Sequence, residues 1–90
     1  MVKKLYEIKK NTLTFNSNKR IETINIPKHI TKIIFNTIFN QPISFLPNHI
    51  KTIHFRKNFT QSLTKIYFPD SLENLVFSYC NVDLSEAMFP

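Results

Sequence analysis

Apolar and polar residues follow one short pattern three times along this 90-residue chain. The pattern is Pro, any residue, His or Ser, Ile or Leu, two variable residues, Ile or Leu, one variable residue and Phe. It begins at Pro27, Pro47 and Pro69, and Pro90 continues the spacing of 20, 22 and 21 residues. Alternating apolar positions in segments rich in Ile, Phe, Thr and Val predict short strands. Similarity at a fixed period predicts a stack of coils, each contributing one such strand.

Like strands of successive coils should pair in parallel about 4.8 Å apart, with equivalent positions pointing inward. A shorter copy of the pattern, Leu-Thr-Phe at 13–15, adds a fourth strand at the start of the stack. The predicted interior rows are Ile30, Ile50 and Leu72; Leu13, Ile33, Ile53 and Leu75; and Phe15, Phe35, Phe55 and Phe77.

A weaker apolar phrase precedes each proline and predicts a second short strand in every coil. It occupies 21–26, 43–46, 63–68 and 84–89. The fold class expected is therefore mostly β, a short solenoid of about 3.5 coils with two short strands per coil stacked as parallel ladders. The expected segments are an N-terminal cap at 1–12 and repeats at 13–26, 27–46, 47–68 and 69–90.

The second coil carries a family resemblance. Its segment Phe39-Asn-Gln-Pro-Ile43, followed by Leu46 and Pro47, resembles the FNIP repeat, a leucine-rich-repeat-like unit of about 22 residues. That family is known chiefly from social amoebae and the giant viruses that infect them. The resemblance implies a curved repeat stack that serves protein–protein contact.

Composition and charge narrow the function classes. The chain has no glycine, which excludes phosphate-binding loops and other motifs that depend on glycine backbone freedom. Its formal net charge is +6, concentrated before residue 58, while residues 58–90 are net acidic. A basic protein can bind nucleic acid. No helix that could read a groove is indicated, and the acidic C-terminal third would repel a polyanion, so this class is disfavoured.

Candidate chemistry is sparse. His29 and His49 occupy equivalent positions, but two imidazoles fall short of the three or four ligands of a zinc site, so neither a metal nor a cofactor is expected. No nucleophile–base pattern indicates an enzyme. No apolar run is long enough to cross a membrane, and the start of the chain lacks a signal-peptide pattern. Cys80 is the single cysteine, which fits an intracellular protein.

Two sets of outward positions are candidates for partner binding. Aromatic residues, Met and Arg are enriched in interfaces, and an exposed apolar stripe marks a contact site. The first candidate stripe lies two residues before successive prolines and consists of Phe45, Tyr67 and Met88. The second lies on the other predicted ladder and consists of Ile34, His54 and Val76, with Arg56 beside it.

The function expected from these features is a non-catalytic module that binds a protein partner of unknown identity. Two alternatives stay open: a basic nucleic-acid-binding protein, and a degenerate repeat fragment without independent function. Self-association through the C-terminal coil is also expected, because Leu84, Met88 and Phe89 place apolar side chains in the last predicted coil.

Overall fold

The computed structural model describes residues 5–44, 46–56, 59–60 and 66–78. In this part of the chain one five-stranded sheet forms, with its strands in sequence order. The strands are β1 (Tyr6–Lys9), β2 (Thr12–Phe15), β3 (Lys32–Phe35), β4 (Thr52–Phe55) and β5 (Asn74–Phe77). A 3-10 turn covers Ile21–Thr23. The predicted mostly-β repeat stack is confirmed.

Strands β2 to β5 pair in parallel without any slip in register. Leu13, Ile33, Ile53 and Leu75 are direct partners, and so are the four phenylalanines two positions later. In β2, β3 and β4 the second and fourth residues are fully buried and the first and third are half-buried. The expected alternation therefore places two apolar rows against the core. In β5, Leu75 and Phe77 are partly buried and pack against that core.

Each predicted proline opens a tight turn that leads into a strand. The carbonyl of Pro27 accepts a hydrogen bond from the amide of Ile30 at 3.1 Å, and Pro47 and Pro69 repeat this bond with Ile50 and Leu72. The proline supplies only a carbonyl here, so its missing N–H costs no hydrogen bond. Ile30 and Ile50 are fully buried, whereas Leu72 is partly buried.

A second column of phenylalanine rings lies beside the predicted one. Phe39 stacks on Phe35 with ring centroids 4.4 Å apart, and Phe59 stacks on Phe55 at 4.0 Å. Along the ladder, Phe35 and Phe55 are 5.0 Å apart, and Phe55 and Phe77 are 5.4 Å apart. Phe55 thus contacts three stacked rings and lies at the centre of the core.

The first coil ends this stack in a different way. Asn18 accepts a hydrogen bond from the amide of Asn40, so Ser17 is the counterpart of Phe39. Without a phenylalanine at that position, Phe15 turns edge-on, at 77° to Phe35 and 75° to Phe39. An edge-to-face contact is as favourable as an offset stack, so the rotation fills space without loss of ring contact.

In the first two coils no second strand forms among the described residues, which corrects that part of the prediction; residues 63–65 of the third coil and 84–89 of the fourth lie outside the described residues. Residues 21–23 form a 3-10 turn closed by the amide of Ile24 on the carbonyl of Ile21 at 3.2 Å. Apolar positions 21 and 24 are three apart, which suits three residues per turn and not a strand period of two. The amide of Tyr67 donates to the carbonyl of Ser44 at 3.3 Å and gives one bridge between the second and third coils in the described residues.

Side chains supply the links that the missing strands would have made. The Glu22 carboxylate accepts the amide N–H of Ser44 at 2.7 Å and also contacts Arg20. Burial raises the pKa of Glu22, but the Ser44 amide, its own backbone and Arg20 outweigh that effect and lower the pKa overall. This carboxylate therefore holds the first two coils together as a charged group.

The N-terminal segment covers one edge of the stack. Strand β1 pairs antiparallel with β2 through a two-residue connection at Lys10 and Asn11. Tyr6 packs against the core, while Ile8 is 38% exposed. Lys10 has a φ of 55°, in the left-handed region that glycine adopts most readily.

We expect Phe55→Ala to destabilise the fold by about 3–5 kcal/mol, because truncation leaves a cavity among three stacked rings. That loss approaches the whole stability of a small domain, so the variant should lose its cooperative thermal transition. Phe55→Leu is the matched control and should cost only about 1–2 kcal/mol. Circular dichroism melting measures both, and an Ala variant that melts within a few degrees of wild type would contradict the stack.

Lys10→Gly should raise the free energy of unfolding by about 1 kcal/mol, because glycine removes the steric penalty of a left-handed φ. Lys9→Gly removes the same charge from the neighbouring strand and should destabilise by about 0.5–1 kcal/mol. Urea unfolding of the two variants gives the comparison, and equal destabilisation of both would contradict the φ at Lys10.

Candidate interaction surface

The sheet turns one face away from the core, and the strand register orders its side chains in two rows. We call the two rows together the outer face. The polar row contains Lys9, Thr12, Lys32, Thr52 and Asn74. The central row contains Glu7, Thr14, Ile34, His54 and Val76. Neighbouring members of a row lie on adjacent strands, about 4.8 Å apart.

The second predicted stripe lies in this central row. Ile34 pairs with His54 and His54 pairs with Val76, so the three side chains are adjacent on β3, β4 and β5. Val76 is 41% exposed, and Ile34 and His54 are half-buried by their neighbours. Arg56 directly follows β4 and is exposed. The arrangement gives a small apolar patch bordered by hydroxyl, amide and basic groups.

His54 is fixed in this patch by a hydrogen bond. Its Nε2 lies 2.6 Å from the hydroxyl of Ser78, which ties the last two described coils together. Burial lowers the pKa of His54, and the positive charges of Arg56 and Lys32 lower it further. The imidazole is therefore biased towards its neutral form.

The His54–Ser78 pair has no carboxylate beside it among the described residues of the outer face. A catalytic serine and histidine use a group that orients the ring. Glu7 is the only carboxylate in the described rows, and it lies three strands from His54, or about 14 Å. The hydrogen bond between His54 and Ser78 links two adjacent coils.

Basic groups outnumber acidic ones on the described outer face. Lys9 and Lys32 lie in the polar row, two strands apart, and Glu7 lies at the β1 end of the central row. Lys51 and Glu73, which directly precede β4 and β5, are 4.0 Å apart and offset each other. Lys9 and Glu7 both lie on β1 and also offset each other, so the remaining positive charge of the two rows is that of Lys32 on β3.

The first predicted stripe falls mostly outside the described residues. Tyr67 is described and is 68% exposed, so its ring is available on a surface separate from the outer face. Phe45 and Met88 lie outside the described residues. Their grouping with Tyr67 stays a prediction.

The two histidines considered as metal ligands have different surroundings. His29 is exposed in its turn, whereas His49 Nδ1 lies 2.7 Å from the carbonyl of Ile30 in the preceding coil. Ser71, the equivalent residue of the next coil, donates to the carbonyl of Ile50 at 2.6 Å. This column therefore links coils. In the described part of the chain, no three His, Cys, Asp or Glu side chains are grouped as metal ligands would be.

The sequence pattern did not identify the polar row as part of the surface. Thr12, Lys32 and Thr52 alternate with buried positions in the same way as the central row. The alternation that predicts the outward central row therefore also predicts that these three residues face outward. The Arg20–Glu22–Ser44 network was also missed, because its partners are 22–24 residues apart and carry no shared motif.

Comparison with known proteins identifies the repeat. A family model described as FNIP Repeat matches residues 15–55 and residues 39–80, so the two matches together span more than half of the chain. No curated protein and no solved structure matches the sequence. Within the described residues, no helix is long and apolar enough to cross a membrane.

The lowered pKa of His54 predicts a pH dependence of stability. The unfolded chain keeps the ordinary value of 6.5, so it binds more protons than the folded chain between that value and the lowered pKa. The free energy of unfolding should therefore fall as the pH drops through this window. His54→Gln should reduce the slope. Urea unfolding of wild type and variant between pH 7.5 and the acid limit of folding checks this, and equal slopes for the two proteins would contradict it.

Proposed function

The chain belongs to the FNIP repeat family, and we propose that it is a non-catalytic module that binds a partner protein through the outer face of its sheet. The observation that carries this proposal is the alignment of Ile34, His54 and Val76 on three adjacent strands. Their inward neighbours pack in the core, while Val76 is 41% exposed and Ile34 and His54 are half-buried, so this row can contact another molecule. A regular row of side chains of this kind suits the binding of a partner protein better than it suits catalysis.

The size of the surface favours a limited contact. Five strands span about 19 Å and four residues per strand span about 13 Å, so the outer face offers roughly 250 Å². A standard interface covers about 800 Å² on each partner. The partner should therefore place a short segment on this face, with Arg56 and the loops beyond the strands enlarging the contact.

Two alternatives make different predictions. A nucleic-acid-binding protein would depend on its basic side chains and would lose binding steeply as salt rises. A degenerate fragment would capture nothing specific. Contact through the apolar centre of the outer face should instead persist at moderate salt.

The proposal predicts that Ile34→Thr combined with Val76→Thr weakens partner capture by about tenfold, since two apolar contacts are lost. Threonine is β-branched, so both strands should keep their conformation. Tyr67→Ser, on the separate surface, is the matched control and should leave capture unchanged. Affinity capture from the native cells at moderate salt, with quantified recovery, measures all three proteins.

The opposite pattern would overturn the choice of surface. If Tyr67→Ser abolishes capture and the double threonine variant does not, binding occurs on the surface that carries Tyr67. If no protein is recovered with the wild-type chain at moderate salt, the interaction function itself is wrong. Circular dichroism of each variant establishes that any loss of capture is not a loss of folding.

A further inference from the structure

The charge and hydrogen-bonding groups of the outer face indicate what kind of segment it can hold. Lys9 and Lys32 lie on either side of Thr12 in the polar row, and Thr52 and Asn74 continue that row. Ammonium, hydroxyl and amide groups all donate hydrogen bonds, and carboxylates accept them strongly. Asn74 Nδ2 already donates to Thr52 Oγ1 at 3.5 Å, and Thr12 Oγ1 donates to Asn11 Oδ1 at 3.4 Å. The two lysines, the Thr52 hydroxyl and the second N–H of Asn74 are the donors that suit acidic side chains.

The positive potential extends to the centre of the face. Lys32 lies on β3, the strand beside His54, and Arg56 follows His54 by two residues. Burial is the largest cause that lowers the pKa of His54, and the charges of Arg56 and Lys32 lower it further. The groups facing His54 from β5 are Val76 and Ser78, which carry no charge. A ligand over this position meets two cations and an apolar patch.

We infer that the outer face binds an extended acidic segment of a partner protein, laid across the strands along the polar and central rows. A width of about 19 Å corresponds to about six extended residues. Carboxylates face the polar row, and apolar side chains of the segment contact Ile34 and Val76. This inference rests on the proposed function and specifies the chemistry of the partner.

The position of Glu7 gives the segment an orientation on the face. Glu7 is the described carboxylate of the central row and lies at its β1 end. Like charges in close contact are unfavourable, so the acidic residues should face the polar row, which carries Lys9 and Lys32, and avoid the β1 end of the central row. The apolar end of the segment should lie over Val76, at the β5 end.

A peptide suits this face better than single-stranded nucleic acid. Proteins that bind single strands stack bases on aromatic side chains and follow the backbone with cations. The phenylalanine rings of the described strands pack in the core. The two rows of the outer face contain no Phe, Tyr or Trp. In the central row Ile34 and Val76 lie on either side of His54, and these two aliphatic side chains offer a phosphate backbone no hydrogen bond.

The test selects ligands from a displayed library of random peptides of about twelve residues, twice the length that spans the face. We expect the enriched peptides to combine Asp or Glu with an aliphatic residue. One enriched peptide, made synthetically with a fluorescent label, is then titrated against wild type, Lys32→Glu and Lys28→Glu. Lys28 is exposed in the turn after Pro27, so its substitution makes the same charge change away from the outer face.

The expected result is that Lys32→Glu weakens peptide binding by about tenfold, while Lys28→Glu changes it by less than about twofold. Glu7→Gln should strengthen binding by about twofold, because it removes the like charge. Equal weakening by the two lysine variants would overturn the inference, since it would indicate a general charge effect. A single-stranded oligonucleotide that displaces the peptide at lower concentration would overturn it in favour of nucleic acid.

Failure of this inference can be separated from failure of the proposed function. Enrichment of neutral or basic peptides, or of none, would overturn an acidic segment as the ligand. Capture from native cells that still depends on Ile34 and Val76 would leave the interaction function standing in that case. If capture from native cells does not depend on Ile34 and Val76 while acidic peptides still bind through Lys32, the proposed function is overturned and the acidic segment stands as the ligand of the outer face.

Discussion

The stacking of phenylalanine rings along the ladder is the interaction on which the rest of the structure depends. Phe35, Phe55 and Phe77 lie at 5.0–5.4 Å from ring to ring, close to the spacing of paired strands. A shift of one residue in any strand would turn its phenylalanine to the outer face. The rings therefore hold the register, and the register in turn sets the rows of the outer face.

The coils keep this register although their lengths differ. The strand starts Lys32 and Thr52 are 20 residues apart, and Thr52 and Asn74 are 22 apart. Coil-to-coil spacing is 20 residues from Asn16 to Asn36 but 22 from Asn18 to Asn40. The difference is the turn at 37–38, which the first coil lacks, and that coil also lacks a second phenylalanine. The loops accommodate the difference in coil length, because an extra residue within a strand would shift its register.

The strand side of the fold could be predicted from the sequence because its signal is a short period repeated in register. Leu13, Ile33 and Ile53 alternate with polar residues in each copy, and alternation translates directly into burial. The segment that follows each strand and precedes the next proline, such as 21–26, could not be predicted in the same way. The spacing of Ile21 and Ile24 suits a 3-10 turn, whereas the alternation of Ile24 and Ile26 predicts a strand. The bonds that replace the strand, such as Glu22 to Ser44, depend on tertiary placement alone.

Only part of the candidate surface could be predicted from the sequence, for a related reason. Outward aromatic and aliphatic residues indicate contact, which favours Ile34, Val76 and Tyr67, whereas nothing in the sequence distinguishes Thr12 and Thr52 from other strand residues. Their importance appears when the register places them beside Lys9 and Lys32. A polar row of this kind is defined by its neighbours across strands and not by its neighbours along the chain.

The geometry of the ladder also limits the kind of specificity that the outer face can have. Its rows repeat about every 4.8 Å, while side chains on one side of an extended segment repeat about every 6.7 Å. The two repeats coincide only after about 19–20 Å, which is the full width of the face. A segment laid across the strands therefore cannot pair each of its side chains with one residue of the sheet. Recognition should depend on the composition of the segment, with charge along the polar row and an apolar contact at Val76, more than on a strict sequence motif.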